Sequence, residues 1–271
     1  MSDGKITGNE GLAIEIGGMP ILLRTRDTCF RQLLSDRYAG FVSDLAIPEL
    51  EFDIDLVEPS TEIEADDDVQ VRKEGGGWLL QRGDFQAQWD TSCGRGQVRQ
   101  SRNPYAIDSL LRIIHTLILA KRGGFLVHAA SAVRGERAFL FAGVSGAGKT
   151  TISRLAPSDA TLLSDEISYV RRERDSYLSC GTPFAGELAR VGENKSAALR
   201  ALFFLDKGPE NRIEPLESGE AVRLLLRNIL FFAEDEELVR LVFQSACEFV
   251  ERVPVSRLTF VPDQRVWDLI R

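Results

Sequence analysis

The sequence predicts an α/β (α+β) protein in two parts, a small β-rich region over residues 1–104 and a larger α/β domain over residues 105–271. Three observations carry that expectation. Apolar and polar side chains alternate through much of the first hundred residues. Apolar residues then recur at helical spacing directly after Asn103-Pro104, and a strand, a glycine-rich loop and a helix follow one another between residues 138 and 156.

Composition narrows the class before any element is assigned. The chain is 44% apolar and 27% charged, which excludes fibrous and wholly disordered proteins. Its net charge is -8, and residues 49–68 hold ten carboxylates and no base. A phosphate-backbone footprint needs a basic face, so no nucleic-acid partner is expected. No apolar run reaches membrane-spanning length, and the start MSDGKITGNE lacks a secretory h-region, so the expectation is a cytoplasmic protein with no membrane partner. Cys29, Cys93, Cys180 and Cys247 lie far apart without a C-x-x-C pair. They are read as buried or incidental thiols rather than zinc ligands or a disulfide framework.

The elements follow in order. Leu50-Glu51-Phe52-Asp53-Ile54-Asp55-Leu56 alternates strictly, a half-buried strand whose acids face water. Asp66-Asp67-Asp68 reads as a loop. Val69 to Lys73 and Trp78 to Arg82 are strands around Gly75-Gly76-Gly77, a turn that needs positive φ. Phe85 to Trp89 and Gln97 to Gln100 are further strands. Asn103 caps and Pro104 opens a helix whose stripe is Ile107, Leu110, Leu111, Ile114, Leu117 and Ile118, ended by Gly123-Gly124. His115 falls off that stripe and is read as a surface residue. Phe125 to Val133 and Ala138 to Ala142 are paired strands joined through Arg134-Gly135-Glu136.

The second of these strands runs into Gly143-Val144-Ser145-Gly146-Ala147-Gly148-Lys149-Thr150, the phosphate-binding pattern G-x-x-x-x-G-K-[ST]. Its glycines let consecutive backbone N–H groups ring an anion. Lys149 can bridge the terminal phosphates, the Thr150 hydroxyl can hold Mg²⁺, and Thr151 follows in the helix that begins at Lys149. Ala160 to Ser164 is a short apolar strand ending in Asp165-Glu166. These carboxylates are expected off the buried face, at the strand's carboxyl end where open sheets bind ligands. One can reach the metal while the other accepts a proton from the attacking hydroxyl. His128 closes the run Gly124 to Val127 as a strand-end imidazole, either a satisfied structural group or a partner to a carboxylate.

Val127-His128-Ala129-Ala130, the strand pair, Gly143 to Thr150 and Leu163-Ser164-Asp165-Glu166 together resemble the C-terminal catalytic domain of the HPr kinase/phosphorylase family. Within it they are most similar to the HPr-kinase-related proteins found beside peptide-modifying gene sets, lasso-peptide precursor kinases included. The resemblance spans about residues 105–260, and Gly181-Thr182-Pro183-Phe184-Ala185-Gly186-Glu187 and the strand Leu199 to Asp206 share it. It implies a P-loop kinase domain similar in fold to phosphoenolpyruvate carboxykinase. It also implies ATP and Mg²⁺ as cofactors, and γ-phosphate transfer to a serine hydroxyl of a protein or peptide, with reversal by inorganic phosphate. On that resemblance Lys149 holds the β- and γ-phosphates, Thr150 ligates Mg²⁺ and Asp165 takes the serine proton. His128 polarises Asp165, and Glu187 corresponds to a carboxylate near the metal. Glu166 stands where the family usually has a second aspartate. The N-terminal half has no obvious match to the regulatory domain of true HPr kinases, which counts against HPr itself as the acceptor and leaves partner recognition as that region's expected role.

Further along, Tyr177 to Cys180 is a strand, and Gly181 to Phe184 is a turn that could cover the nucleotide, present the acceptor or simply connect. Arg171, Arg172 and Arg174 are read as a solvated hairpin. Ser218 to Phe232 and Glu234 to Val250 are amphipathic helices, with Arg223 and Arg227 on one face at i, i+4, either surface residues or partners to phosphate. Arg252 to Phe260 is a last strand that Pro254 assigns to a sheet edge. Two other readings stay open at this level, an ATP-sensing module without transfer and a small-metabolite kinase. So does association with a second copy.

Overall fold

Alternation at the start of the chain becomes a seven-stranded sheet, and the continuous apolar runs after residue 124 become a second, larger one. The computed structural model describes residues 11–44, 47–58, 69–184, 186 and 191–271. Asp66-Asp67-Asp68 and Glu187 lie outside the described residues. By backbone contacts the chain divides into one unit of residues 1–113 with 232–234 and another of residues 114–231 with 235–271. It is a mixed α/β protein with two sheets.

The first unit contains β1 (Gly11–Ile16), β2 (Met19–Arg24), α1 (Thr28–Arg37), β3 (Leu50–Leu56), β4 (Gln70–Glu74), β5 (Gly77–Arg82), β6 (Phe85–Asp90) and β7 (Arg95–Gln100). Its sheet order is β1-β2-β3-β7-β6-β5-β4. Phe52, Ile54, Leu80, Phe85, Ala87 and Val98 occupy the buried face, as the period of two requires. Gly75 and Gly76 turn the β4–β5 hairpin at φ +57° and +88°, conformations that a Cβ disfavours. The Asp27 side chain caps α1 by accepting from the Phe30 N–H at 2.8 Å. Helix α2 (Pro104–Arg122) follows, with Asn103 accepting from the Tyr105 N–H at 3.0 Å. Within this unit Asp108 is buried, accepting from the Tyr38 hydroxyl at 2.6 Å and from Arg37 Nε at 3.0 Å.

The second unit contains β8 (Phe125–Arg134), β9 (Arg137–Ala142), α3 (Lys149–Arg154), β10 (Ala160–Ser164), β11 (Ile167–Glu173), β12 (Ser176–Cys180), β13 (Ser196–Lys207), β14 (Arg212–Pro215), α4 (Ser218–Asn228), β15 (Ile229–Leu230), α5 (Glu236–Arg252) and β16 (Val255–Phe260). Strand β9 pairs antiparallel with β8 and parallel with β13, and β13 pairs parallel with β16. Both faces of this sheet are covered. Val127, Ala129, Leu140, Ala142 and Phe204 pack with Leu225 of α4 and Phe249 of α5 on one side. Ala130, Ala132, Phe139, Phe141 and Phe203 pack with Ile152 of α3 and Trp267 on the other. Burial on both faces is why Ala138 to Ala142 reads as an unbroken apolar run.

His115 is buried rather than on the surface, edge-on to Tyr169 with ring centroids 5.2 Å apart. Helix α2 is buried well beyond its apolar stripe, so polar positions off the stripe are carried inside too. Neither ring nitrogen of His115 has a hydrogen-bond partner among the described residues. Burial, reinforced by the Arg122 charge, pushes its pKa down to about 3, so the ring is neutral. Helix α4 stops at Asn228, because Ile229 and Leu230 leave it to pair with β8. Phe231 and Phe232 are therefore not helical, and α5 begins at Glu236 rather than Glu234, with the Asp235 carboxylate accepting from the Leu238 N–H at 2.9 Å. Strand β16 is interior, between β13 and β14; Pro254 precedes it and so removes no ladder donor. Arg172 is an ion-pair partner of Glu248 at 2.5 Å rather than a fully solvated side chain.

Candidate functional site

Strand β8 organises the site by having four partners. Strand β9 ends at Ala142, opposite Ala129, and β10 ends at Ser164, opposite Ser131. Strand β11 begins at Ile167, opposite His128, and β15 begins at Ile229, opposite Val127. Four strand ends thus meet over five consecutive residues of β8, where pairing switches and a crevice opens. Three connections converge there: the glycine-rich loop leaving β9, the Asp165-Glu166 link from β10 to β11, and the end of α4 before β15. Together they line one cavity of about 540 Å³.

That cavity gathers His128, Gly143, Val144, Ser145, Gly146, Gly148, Lys149, Thr150, Thr151, Asp165 and Glu166. Ala147, the remaining loop residue, packs against the hydrophobic cluster under α3. His128 lies within β8, not at its end, and alternation puts it on the α3 side with Ala130 and Ala132. The extra length of β8 comes from Ala129 to Arg134, which pairs with β9 while Phe125 to His128 pairs with β11.

Each loop geometry has a local cause. Gly146 takes φ +78° with no described residue within 4 Å of an added Cβ, and Gly148 takes φ +114° with Phe260 beneath it, where an added Cβ would lie 2.7 Å from Cζ. Lys149 Nζ donates to the carbonyl oxygens of Gly143 at 2.8 Å and Val144 at 3.4 Å, which folds the ammonium back over the loop. A register shift in β10 between Leu162 and Ser164 re-aims the strand end toward the cavity. Ser164 Oγ then accepts from the Ile167 N–H at 3.0 Å and donates to its carbonyl at 2.8 Å, closing the Asp165-Glu166 turn.

Asp165 is 5% exposed, against the expectation that both carboxylates stand clear of the buried face. Its burial is compensated: the Gly186 N–H donates to Oδ1 at 2.8 Å. A Cβ on Gly186 would meet Glu166 Cβ at 2.7 Å, so only a glycine brings that amide so close. Glu166 is half-buried beside it. Gly181 to Phe184 is buried and tied to β10, with the Thr182 N–H donating to the Leu163 carbonyl at 3.1 Å, so this turn buttresses the Asp165 link.

Three more residues line the cavity: Lys207 and Asn228, which the sequence did not mark, and Arg227, for which a phosphate contact was one of two readings. Lys207 ends β13, Asn228 ends α4, and Arg227 is exposed yet lines the cavity. Asn228 Nδ2 donates to the Leu224 carbonyl at 2.8 Å and so fixes this end of the helix. No sequence signal marks Lys207 or Asn228, because Lys207 is placed by β13 pairing with β9 and Asn228 by β15 pairing with a strand about a hundred residues earlier.

The donor set decides what metal the cavity suits. Among the described residues no group of three or more His, Cys, Asp or Glu side chains is arranged to hold a metal ion. The Thr150 hydroxyl with Asp165 and Glu166 offers one neutral oxygen donor and two carboxylates in one cavity. That suits Mg²⁺ arriving with phosphate and water ligands, not a resident all-protein site. Among the described residues no helix is long and apolar enough to cross a membrane.

No curated protein matches the chain. Among solved structures it is similar to the Hpr(Ser) kinase/phosphatase from Coxiella burnetii, at 14% identity and a TM-score of 0.30, over 54% of this chain and 85% of that one. The family described as SynChlorMet cassette protein ScmC matches residues 100–271, which include every residue of the cavity. The chain belongs to the ScmC family of SynChlorMet cassette proteins.

Proposed function

We propose that this protein is a Mg²⁺·ATP-dependent kinase whose acceptor is a serine or similar hydroxyl of a protein or peptide. One observation carries the reading: a P-loop-type glycine sequence and a buried, amide-held carboxylate from different strand ends line one cavity. Its size falls within the range of small-ligand pockets, about 300–1,000 Å³.

The chemistry follows from the residues. Loop amides and Lys149 take the β- and γ-phosphates, which replace the neutral carbonyls now accepting from Nζ. Thr150 with one carboxylate would hold Mg²⁺, which neutralises charge on the phosphates when bound. The acceptor oxygen forms a bond to the γ-phosphorus as the bond from that phosphorus to the β–γ bridging oxygen breaks. ADP leaves, and the hydroxyl proton passes to Asp165. The amide of Gly186 on Oδ1 fixes the orientation of the carboxylate that takes that proton. His128 and Glu166, in the same cavity, would orient this group and the metal.

The test is Asp165→Asn with γ-labelled ATP and a panel of serine peptides. Transfer should fall by about 10²–10⁴-fold while ATP affinity stays within about threefold. Full turnover in the variant removes Asp165 as the base. Label appearing only in inorganic phosphate, with none on any hydroxyl, replaces the kinase by a nucleotide-sensing module.

A further inference from the structure

On one flank of the cavity lies a second depression with the opposite character. Helices α4 and α5 enclose an apolar groove of about 720 Å³, with Val222, Leu226, Phe243, Cys247 and Val250 among its walls. Phe243 is 54% exposed, and Val239, one turn before it on α5, is 50% exposed, so α5 carries an outward apolar stripe. A stripe of this kind on an otherwise acidic chain marks a contact surface.

Two further features say what would cover it. Arg223 and Arg227 form the rim on α4, and among the described residues neither has an ion-pair partner. Glu251 is the one carboxylate among the lining residues, so the groove is cationic overall in a protein of net charge -8. The groove is also continuous with the cavity, because Arg227 lines both. It runs along α4 from Ser218 to Arg227, about 14 Å at helical rise, enough for about four extended residues.

Resting on the kinase reading, we infer that the α4–α5 groove docks the phosphoryl acceptor, as a peptide segment that combines apolar side chains with Asp or Glu. Its apolar residues fill the space beside Phe243, its carboxylates meet Arg223 and Arg227, and its hydroxyl enters the cavity past Arg227. Apolar anchors supply most of the affinity and the arginines select for acidic sequences.

Binding and transfer are measured separately, so the two readings fail separately. Fluorescein-labelled pools of serine-centred peptides, one built from Leu, Phe, Asp and Glu and one with Lys and Arg replacing the acids, are titrated against the full-length protein without nucleotide. The acidic pool should bind and the basic pool should not. Arg223→Glu should weaken the acidic pool about tenfold or more and gain the basic pool, and Phe243→Glu should weaken both. ATP affinity and melting temperature should stay unchanged, since neither side chain lines the cavity. Equal binding of the two pools, no binding of either, or binding indifferent to both substitutions overturns the docking assignment. So does a Phe243→Glu variant that alters oligomeric state by light scattering while peptide binding persists, which would give the groove to a second copy. If acidic peptides bind in the groove and ATP transfers to none of them, the kinase reading fails and the groove stands as a peptide site.

Discussion

Gly148→Ala isolates the part of the loop that depends on backbone alone. Gly148 precedes α3 at φ 114°, ψ 17°, far beyond the left-handed minimum near 57°. Holding an alanine there costs about 1–3 kcal/mol. Its methyl would also lie 2.7 Å from Phe260 Cζ and 3.1 Å from Cε1, and Phe260 is packed in the cluster under α3. Overpacking of that kind costs about 1–3 kcal/mol more. The sum, about 2–6 kcal/mol, should lower the melting temperature by about 4–24 °C. Any relief by moving the loop scatters the amides that would ring the phosphates, so ATP affinity should fall with stability. Gly146→Ala is the internal control: φ is +78° and no described residue lies within 4 Å of the added methyl, so only a conformational cost of about 1–2 kcal/mol applies. Differential scanning fluorimetry with and without Mg²⁺·ATP reads both variants. If Gly148→Ala melts and binds like wild type, or Gly146→Ala is the worse of the two, the steric account of this loop is wrong.

Two predictions concern the rest of the fold. His115 is neutral in the folded state with its pKa pushed down to about 3, whereas the unfolded chain titrates near the ordinary value of about 6.5. Below that value the unfolded state binds the extra proton, so stability falls by about 1.4 kcal/mol per pH unit down to about pH 3. His115→Leu should flatten the urea midpoint between pH 6.5 and 5, and an unchanged slope would contradict the burial. Asp108→Ala strips the buried partner from Arg37 and from the Tyr38 hydroxyl, and should destabilise the first unit by about 3–5 kcal/mol in urea unfolding. A loss under about 1 kcal/mol would mean that the cluster is solvated.

Local signals were legible in the sequence and long-range ones were not. Strict alternation located Leu50 to Leu56, Asn103-Pro104 marked the start of α2, and the run from Gly143 to Thr150 marked the loop, because each depends on neighbours within a few residues. Strands β1 and β2 and helix α1 were not read. The two residues of β15 are too short to show any period, yet they end α4 early and so bring Arg227 and Asn228 to the cavity. Pro254 suggested an edge strand, but a proline just before a strand takes no hydrogen bond from its ladder, so β16 is free to sit inside. Asp165 was expected clear of the buried face. It is inside because an amide twenty-one residues later, on Gly186, replaces the water it loses.

The central claim is that the cavity over β8 grips a polyphosphate with Lys149 and the loop amides. Isothermal titration of the full-length protein with Mg²⁺·ATP, beside Lys149→Ala, measures that contact directly. The account predicts saturable binding at one equivalent per chain that the substitution weakens at least about a hundredfold, the worth of two charge-assisted hydrogen bonds. Absence of heat with the unsubstituted protein, or equal affinity in the variant, would contradict it.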